Sequence, residues 1–154
     1  MSEHMVVNTE WGAFGDHGEL DFILTKWDRN VDKLSINPGK QIFEKMISGM
    51  YMGEVVRQVL VDLVNEDLIF VGHDTENLKT HGRFYTKYVS EIESDPVGDF
   101  TRGRLALADL GMTEVSDEDC SALRYVCECV SRRAGFMVRL LLFSNFVSFQ
   151  IFIR

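Results

Sequence analysis

The chain has 154 residues, enough for one domain or for a piece of a larger one. Its 45% hydrophobic content suits a packed core and excludes a disordered polar chain. A net charge of −8 excludes the clustered basic surface that sequence-independent nucleic-acid binding requires. In chain order, Met5-Val6-Val7 is a short apolar run before Asn8-Thr9, the pattern of a buried strand. Gly12, Gly15 and Gly18 make residues 11–18 a loop. They do not form a Gly-x-Gly-x-x-Gly phosphate motif.

Residues 20–34 read as a helix, with Phe22, Ile23, Trp27 and Val31 at helical spacing. Asn37-Pro38 is expected to start the next one, because Asn caps and Pro suits the first turn. Ile42, Phe43, Met46 and Ile47 then make one apolar stripe, with a break expected near Gly49. Val55, Val56, Val59, Leu60, Leu63 and Val64 form the wide apolar face of a packed helix. Ile69-Phe70-Val71-Gly72 is a short apolar run closed by glycine, and residues 75–78 suit one helical turn. Thr86 begins a helix, Asp95-Pro96-Val97-Gly98 is a turn, and Leu105, Leu107, Ala108 and Leu110 mark a helix stopped by Gly111. Ser116, followed by three acids, opens a last helix: Ser caps, and acids favour the positive end of the dipole.

Several residue classes read as structure. Cys120, Leu123, Cys127 and Val130 share a helical stripe, so the cysteines suit the core and do not have zinc spacing. His4, His17, His73 and His81 lack paired ligand spacing and read as surface residues. Arg132-Arg133 reads as a solvated basic patch. Three cysteines without a pairing pattern fit a reducing compartment. Met1-Ser2-Glu3-His4 has neither the basic start nor the apolar run of a secretory signal, so a cytoplasmic location is expected.

Two carboxylates stand out. Glu10 sits just past the predicted strand, where open α/β sheets place ligands, and Glu44 lies in the first turns of a following helix. An ionised carboxylate accepts with both oxygens, so one Glu can hold two adjacent hydroxyls through charge-assisted bonds about twice as strong as neutral ones. Read alone, the pair also suits solvated faces or glycoside hydrolysis. Asn8 is placed to face the same way as Glu10 on a strand, to support it or reach a ligand, or simply to end the strand. Trp11 suits ring stacking on a ligand or a core anchor.

Three blocks carry more together than apart: Asn8-Thr9-Glu10-Trp11-Gly12-Ala13-Phe14-Gly15-Asp16, Asn37-Pro38-Gly39-Lys40-Gln41-Ile42-Phe43-Glu44-Lys45-Met46, and Ser48-Gly49-Met50-Tyr51-Met52-Gly53-Glu54. In this order and spacing they resemble the sugar-binding face of the large domain of eukaryotic hexokinases and glucokinases, over about residues 6–138. The resemblance implies an α/β, mostly helical part of an actin-like ATPase, ribonuclease-H-like fold. For the full enzyme it implies transfer of the γ-phosphoryl group of ATP, with Mg²⁺, to the 6-hydroxyl of glucose or a related hexose, the first step of glycolysis. It implies that Glu10 and Glu44, with Asn8, hold the sugar, and that the glycine loop walls the cleft. It implies that Gly49, Met50, Thr86 and Ser90 border the adenosine side; read alone, Thr86 is a helix cap. No residue here is assigned to a metal.

In that family the catalytic Asp, a Thr-Lys pair gripping the sugar, and the glycine-rich phosphate loops lie in motifs that do not occur in these 154 residues. A small domain that closes over the sugar is likewise not represented. The chain is therefore expected to supply part of the sugar and ATP sites, with the rest of a hexokinase chain as its partner and no chemistry of its own. The alternative is a truncated, non-catalytic product that binds hexose or another partner. After Val138 the pattern departs. Residues 139–154 read as a non-family hydrophobic tail, free of acids, β-prone and too short to span a membrane, as translation past a splice boundary would give.

Overall fold

A computed structural model describes residues 10–152, with side chains through residue 143. Among these residues there is a short 3₁₀ turn (Trp11–Ala13), seven α-helices and no strand. The helices are α1 (Lys26–Leu34), α2 (Ile42–Ile47), α3 (Gly49–Asn65), α4 (Glu76–Lys79), α5 (Thr86–Glu93), α6 (Thr101–Asp109) and α7 (Asp117–Phe152). The strand expected at residues 5–7 lies outside the described residues. No helix among them is long and apolar enough to cross a membrane.

The central helix is α3, which packs against α1, α2, α4, α5 and α7. Its apolar residues recur at three- and four-residue spacing, so Val55, Val56 and Leu60 are buried together, with Val59, Leu63 and Val64 packed on their edge. Tyr88, Val89 and Ile92 of α5, Leu107 of α6, and Cys120, Leu123, Cys127 and Val130 of α7 complete the main core, closed by Ile69, Phe70 and Leu78. A second, smaller core joins Leu20 to Ile42, Phe43 and Met46 of α2, with Met137 and Leu141 of α7 against it. This smaller core holds the glycine loop beside α2.

Two helix starts fall later than the sequence pattern suggests. The helix expected over residues 20–34 begins only at Lys26. Thr25 and Asp28 form a reciprocal capping box, in which the Asp28 N–H donates to Thr25 Oγ1 (3.3 Å) and the Thr25 N–H to Asp28 Oδ2 (2.9 Å). Upstream of it Leu20 is buried in a series of turns instead. Asn37-Pro38 does not start α2 either: the Asn37 carbonyl accepts from Lys40 N–H in a turn, and the helix begins at Ile42. Lys45, buried on α2, ties that turn down by donating to Asp32 Oδ1 and the Asn37 carbonyl, both at 2.7 Å. The break at Gly49, the helix from Thr86 and the Ser116 start of α7 stand as expected.

Arg133 corrects the reading of Arg132-Arg133 as a solvated pair. Its guanidinium donates to both oxygens of buried Asp28, at 2.9 and 2.8 Å, a two-point contact across 105 residues of chain. Arg132 remains exposed beside Glu128. Of the histidines expected at the surface, His17 is exposed, His73 is half-buried and His4 lies outside the described residues, while exposed His81 stands 3.7 Å from Glu54.

α3 and α6 end in the same way. After α6, Gly111 N–H bonds to Ala108 O and Met112 N–H to Leu107 O, with Gly111 at φ 91°. After α3, Asp67 N–H bonds to Val64 O and Leu68 N–H to Leu63 O, but the left-handed position is Asp67 at φ 54°. Left-handed backbone costs an ordinary L residue about 1–2 kcal/mol, less for Asp. Glycine's greater freedom in the unfolded chain gives back up to about 1 kcal/mol. Asp67→Gly should therefore stabilise the chain by about 0.5 kcal/mol, a Tm rise of about 1–2 °C. A fall in Tm by calorimetry would contradict this.

Candidate functional site

The glycine loop and α2 build a cleft between them. The loop enters through Glu10, exposed and left-handed (φ 47°, ψ 29°), into the 3₁₀ turn. Gly12 then approaches α2 so closely that a Cβ there would stand 2.4 Å from Gln41 Oε1 and 3.4 Å from Glu44 Oε2. Any side chain at residue 12 would displace the Gln41 side chain and come into contact with Glu44. Trp11 and Phe14 both pack on Phe43, with ring centroids 6.3 and 6.1 Å away, and the Phe43 N–H donates to the Phe14 carbonyl at 3.1 Å. Trp11 is thus half-buried against the small core while still lining the cleft.

The cleft measures about 360 Å³ and is lined by Glu10, Trp11, Gly12, Gln41, Glu44, Ile47 and Ser48, a size within the range of small-molecule sites. Glu10 and Glu44, separated in sequence, therefore share one hollow. Asn8 lies outside the described residues. Gln41 was not singled out from the sequence, although it sits one helical turn before Glu44 and so shares its side of the chain. Ser48 was also missed. It forms the extended joint (φ −78°, ψ 149°) between α2 and α3, its hydroxyl is buried, and it has no hydrogen-bond partner.

Beyond that joint lie the other candidates. Gly49 and Met50 open α3 and are exposed; a Cβ on Gly49 would meet nothing within 4 Å. One turn on, Gly53 is the point of closest approach to α5. Its N–H donates to Thr86 Oγ1 at 2.9 Å, and a Cβ there would stand 2.6 Å from the Phe84 carbonyl and from Thr86 N. Thr86 is not a cap: Tyr85 holds that position and no side chain caps α5. The Thr86 hydroxyl joins the starts of α3 and α5, and exposed Ser90 follows one turn along α5. Gly53, unweighed as a site residue, is what allows this crossing; its signal was a second glycine one turn after Gly49.

Two other hollows have different character. One of about 630 Å³, between the glycine loop, α1 and α2, contains Asp16, Asp21, Asp28, Asp32, Arg29 and Lys45. Its charges are already engaged: Asp28 with Arg133, Asp32 with Lys45, Asp16 with backbone N–H groups, and Asp21 near Arg29. The other, about 440 Å³ and apolar, lies between α1, α3 and α7. Among the described residues no group of three or more His, Cys, Asp or Glu could hold a metal ion. Burial pushes the Cys120 and Cys127 thiols above their ordinary value, as suits packing residues.

Comparison with known proteins bears on the family and the fold. A protein-family model described as Hexokinase matches residues 1–144. Hexokinase-3 of Rattus norvegicus is 52% identical over 134 residues, and Hexokinase-1 of Homo sapiens is 49% identical over 134 residues. Each alignment covers 87% of this chain and 14% of the relative, so the chain spans about a seventh of the length of these proteins. A hexokinase from Schistosoma mansoni, solved in complex with glucose, superposes with a TM-score of 0.80 at 42% identity, covering 85% of this chain and 30% of that one. The helices described above are therefore part of the hexokinase fold, and on the extent and identity of these matches the chain belongs to the hexokinase family.

Proposed function

We propose that this chain supplies part of a hexose site and the border of an ATP site in an enzyme that phosphorylates glucose or a related hexose at its 6-hydroxyl. The observation that carries the reading is the convergence of Glu10 and Glu44 on one cleft, lined also by Gln41 and Gly12. Each carboxylate accepts from two neighbouring ring hydroxyls, and the Gln41 amide both donates and accepts. The relative solved with glucose lends the ligand class. Gly49, Met50, Thr86 and Ser90, across the Ser48 joint, border the nucleotide. Mg²⁺ enters with ATP as part of that substrate, and no residue of this chain is assigned to it. Asn8 is assigned to the sugar by family resemblance alone.

Phosphoryl transfer needs a base for the attacking hydroxyl and groups that hold the phosphates. Those roles belong to parts of a hexokinase that this chain does not span. The chain's own contribution is to bind and orient the sugar; the family match runs through residue 144, past the boundary expected at residue 138, and the proposed tail is confined to the residues after it. Glucose titration of the 154-residue chain by ¹⁵N NMR tests the cleft. Glu44→Ala should weaken binding about tenfold or more, since hydrogen bonds to a charged group contribute about 1.5–3 kcal/mol. Equal affinity in the variant would sink the assignment.

A further inference from the structure

We propose that Asp16 is a positioning residue for the hexose cleft, capping from outside the short helix that carries Glu44. This rests on the hexose reading above. α2 has no cap of its own. Gln41 occupies the N-cap position in a left-handed conformation (φ 56°, ψ 43°), not the extended one from which a residue caps its own helix, and its side chain makes no cap bond. The first N–H groups of a helix nevertheless need acceptors. Asp16 provides them: Gln41 N–H donates to Oδ2 at 3.1 Å and Ile42 N–H to Oδ1 at 3.0 Å. The carboxylate also sets negative charge against the positive end of the helix.

The geometry makes Asp16 more than a generic stabiliser. Using one oxygen for each of two successive N–H groups fixes the roll of α2 as well as its distance from the loop. Roll decides where Gln41 and Glu44 stand relative to Gly12, and there the approach is close: a Cβ on Gly12 would stand 2.4 Å from Gln41 Oε1. A helix of six residues is not held by its own propensity, so a constraint on its first turn carries to Glu44. Asp16 is itself held. Its N–H donates to Ala13 O at 3.1 Å, and preceding Gly15, at φ 94°, sits over buried Leu20, where a Cβ would come within 2.7 Å of Leu20 Cδ1. Contacts thus run from Leu20 through Gly15 and Asp16 to the start of α2 and on to Glu44.

The test uses amide exchange, thermal melts and glucose titration of the 154-residue chain. In Asp16→Ala, the Gln41 and Ile42 amides should lose protection and glucose affinity should fall about tenfold. Asp16→Asn keeps an acceptor for only one of the two amides and turns an NH2 donor toward the other, so it should recover affinity only in part and leave one of the two amides unprotected. Positioning is separated from stability by a cycle with Glu44→Gln. Once Glu44 no longer grips the sugar, Asp16→Ala should cost little further affinity while lowering Tm as much as it does in the parent. Additive affinity losses would overturn the positioning role. Undiminished protection of Gln41 and Ile42 in Asp16→Ala would overturn the cap itself, a result read without sugar. Failure of the unaltered chain to bind glucose is a distinct result: it overturns the hexose reading and the positioning role with it.

Discussion

Replacing Glu54 with alanine should cost the chain about 3–5 kcal/mol of stability, the usual penalty for stranding one member of a buried ion pair. Arg57 lies one turn further along α3, and both residues are buried, at 8% and 4% exposure. Its guanidinium meets the Glu54 carboxylate at two points, Nε to Oε2 at 2.8 Å and Nη2 to Oε1 at 2.6 Å. It also reaches the Leu78 and Lys79 carbonyls at 3.2 and 2.7 Å. The Gly82 N–H donates to Glu54 Oε2 at 3.2 Å, so the pair joins α3 to the end of α4 and the turn after it. Without the carboxylate, Arg57 keeps two carbonyl partners but no counter-charge. The expected fall in Tm is about 10 °C, at about 2–4 °C per kcal/mol for a chain of this length. Replacing both residues together, as Glu54→Leu with Arg57→Met, should restore much of the loss. A single variant melting within about 2 °C of the parent would contradict the account.

The same carboxylate sets an acid limit. Burial alone raises Glu54, but the Arg57 guanidinium, Gln58 and the Gly82 N–H outweigh it and hold the group below its ordinary 4.5. A carboxyl depressed in the folded state adds stability fully above its unfolded value, and that stability is lost as pH falls through the folded value. The parent should therefore lose stability below about pH 4.5, and Glu54→Ala should show a flatter profile there. Parallel profiles in urea melts across that range would remove Glu54 as the cause.

Gly53→Ala should be the second most damaging of these changes. On propensity alone it would help, since alanine is favoured over glycine in a helix interior by about 1 kcal/mol. Here the added methyl meets the backbone of residues 84–86 at 2.6–2.8 Å, not the tip of a flexible side chain. Backbone can yield only if α5 moves off α3, which also lengthens the Gly53–Thr86 bond and loosens Tyr88 and Val89 from the main core. Overpacking costs typically about 1–3 kcal/mol and more where backbone must move, so sterics win and a net loss of about 2 kcal/mol is expected. Gly49→Ala, facing open space, serves as the control and should be neutral or slightly stabilising. Equal melting temperatures for Gly53→Ala and Gly49→Ala would show that the crossing is looser than described.

Sequence made the long-period features legible. The α3 face, the cysteine stripe on α7 and the glycine stop after α6 each announce themselves through spacing within one element. Where acceptors come from afar, local pattern misleads. Asn37-Pro38 has the chemistry of a helix start, but α2 is capped by Asp16 from another segment, and nothing near residue 41 reveals it. Arg133 beside Arg132 has the look of a solvated pair until Asp28 arrives from α1. The residues that share the cleft followed the same rule. Glu10 and Glu44 were evident through the blocks around them, while Gln41, and Gly53 at the α3–α5 crossing outside the cleft, gain meaning only once two elements are laid side by side.

The Asp28–Arg133 contact has a consequence for the order in which the chain matures during synthesis. Asp28 is translated before its guanidinium partner, which follows 105 residues later, and closing so long a loop is entropically slow. The α7 stripe that completes the main core emerges in the same late stretch. A nascent chain halted short of residue 133 would hold an uncompensated carboxylate beside an open apolar groove, the state that chaperones and proteases recognise. Survival in the cell thus depends on the prompt delivery of α7 as much as on the final packing.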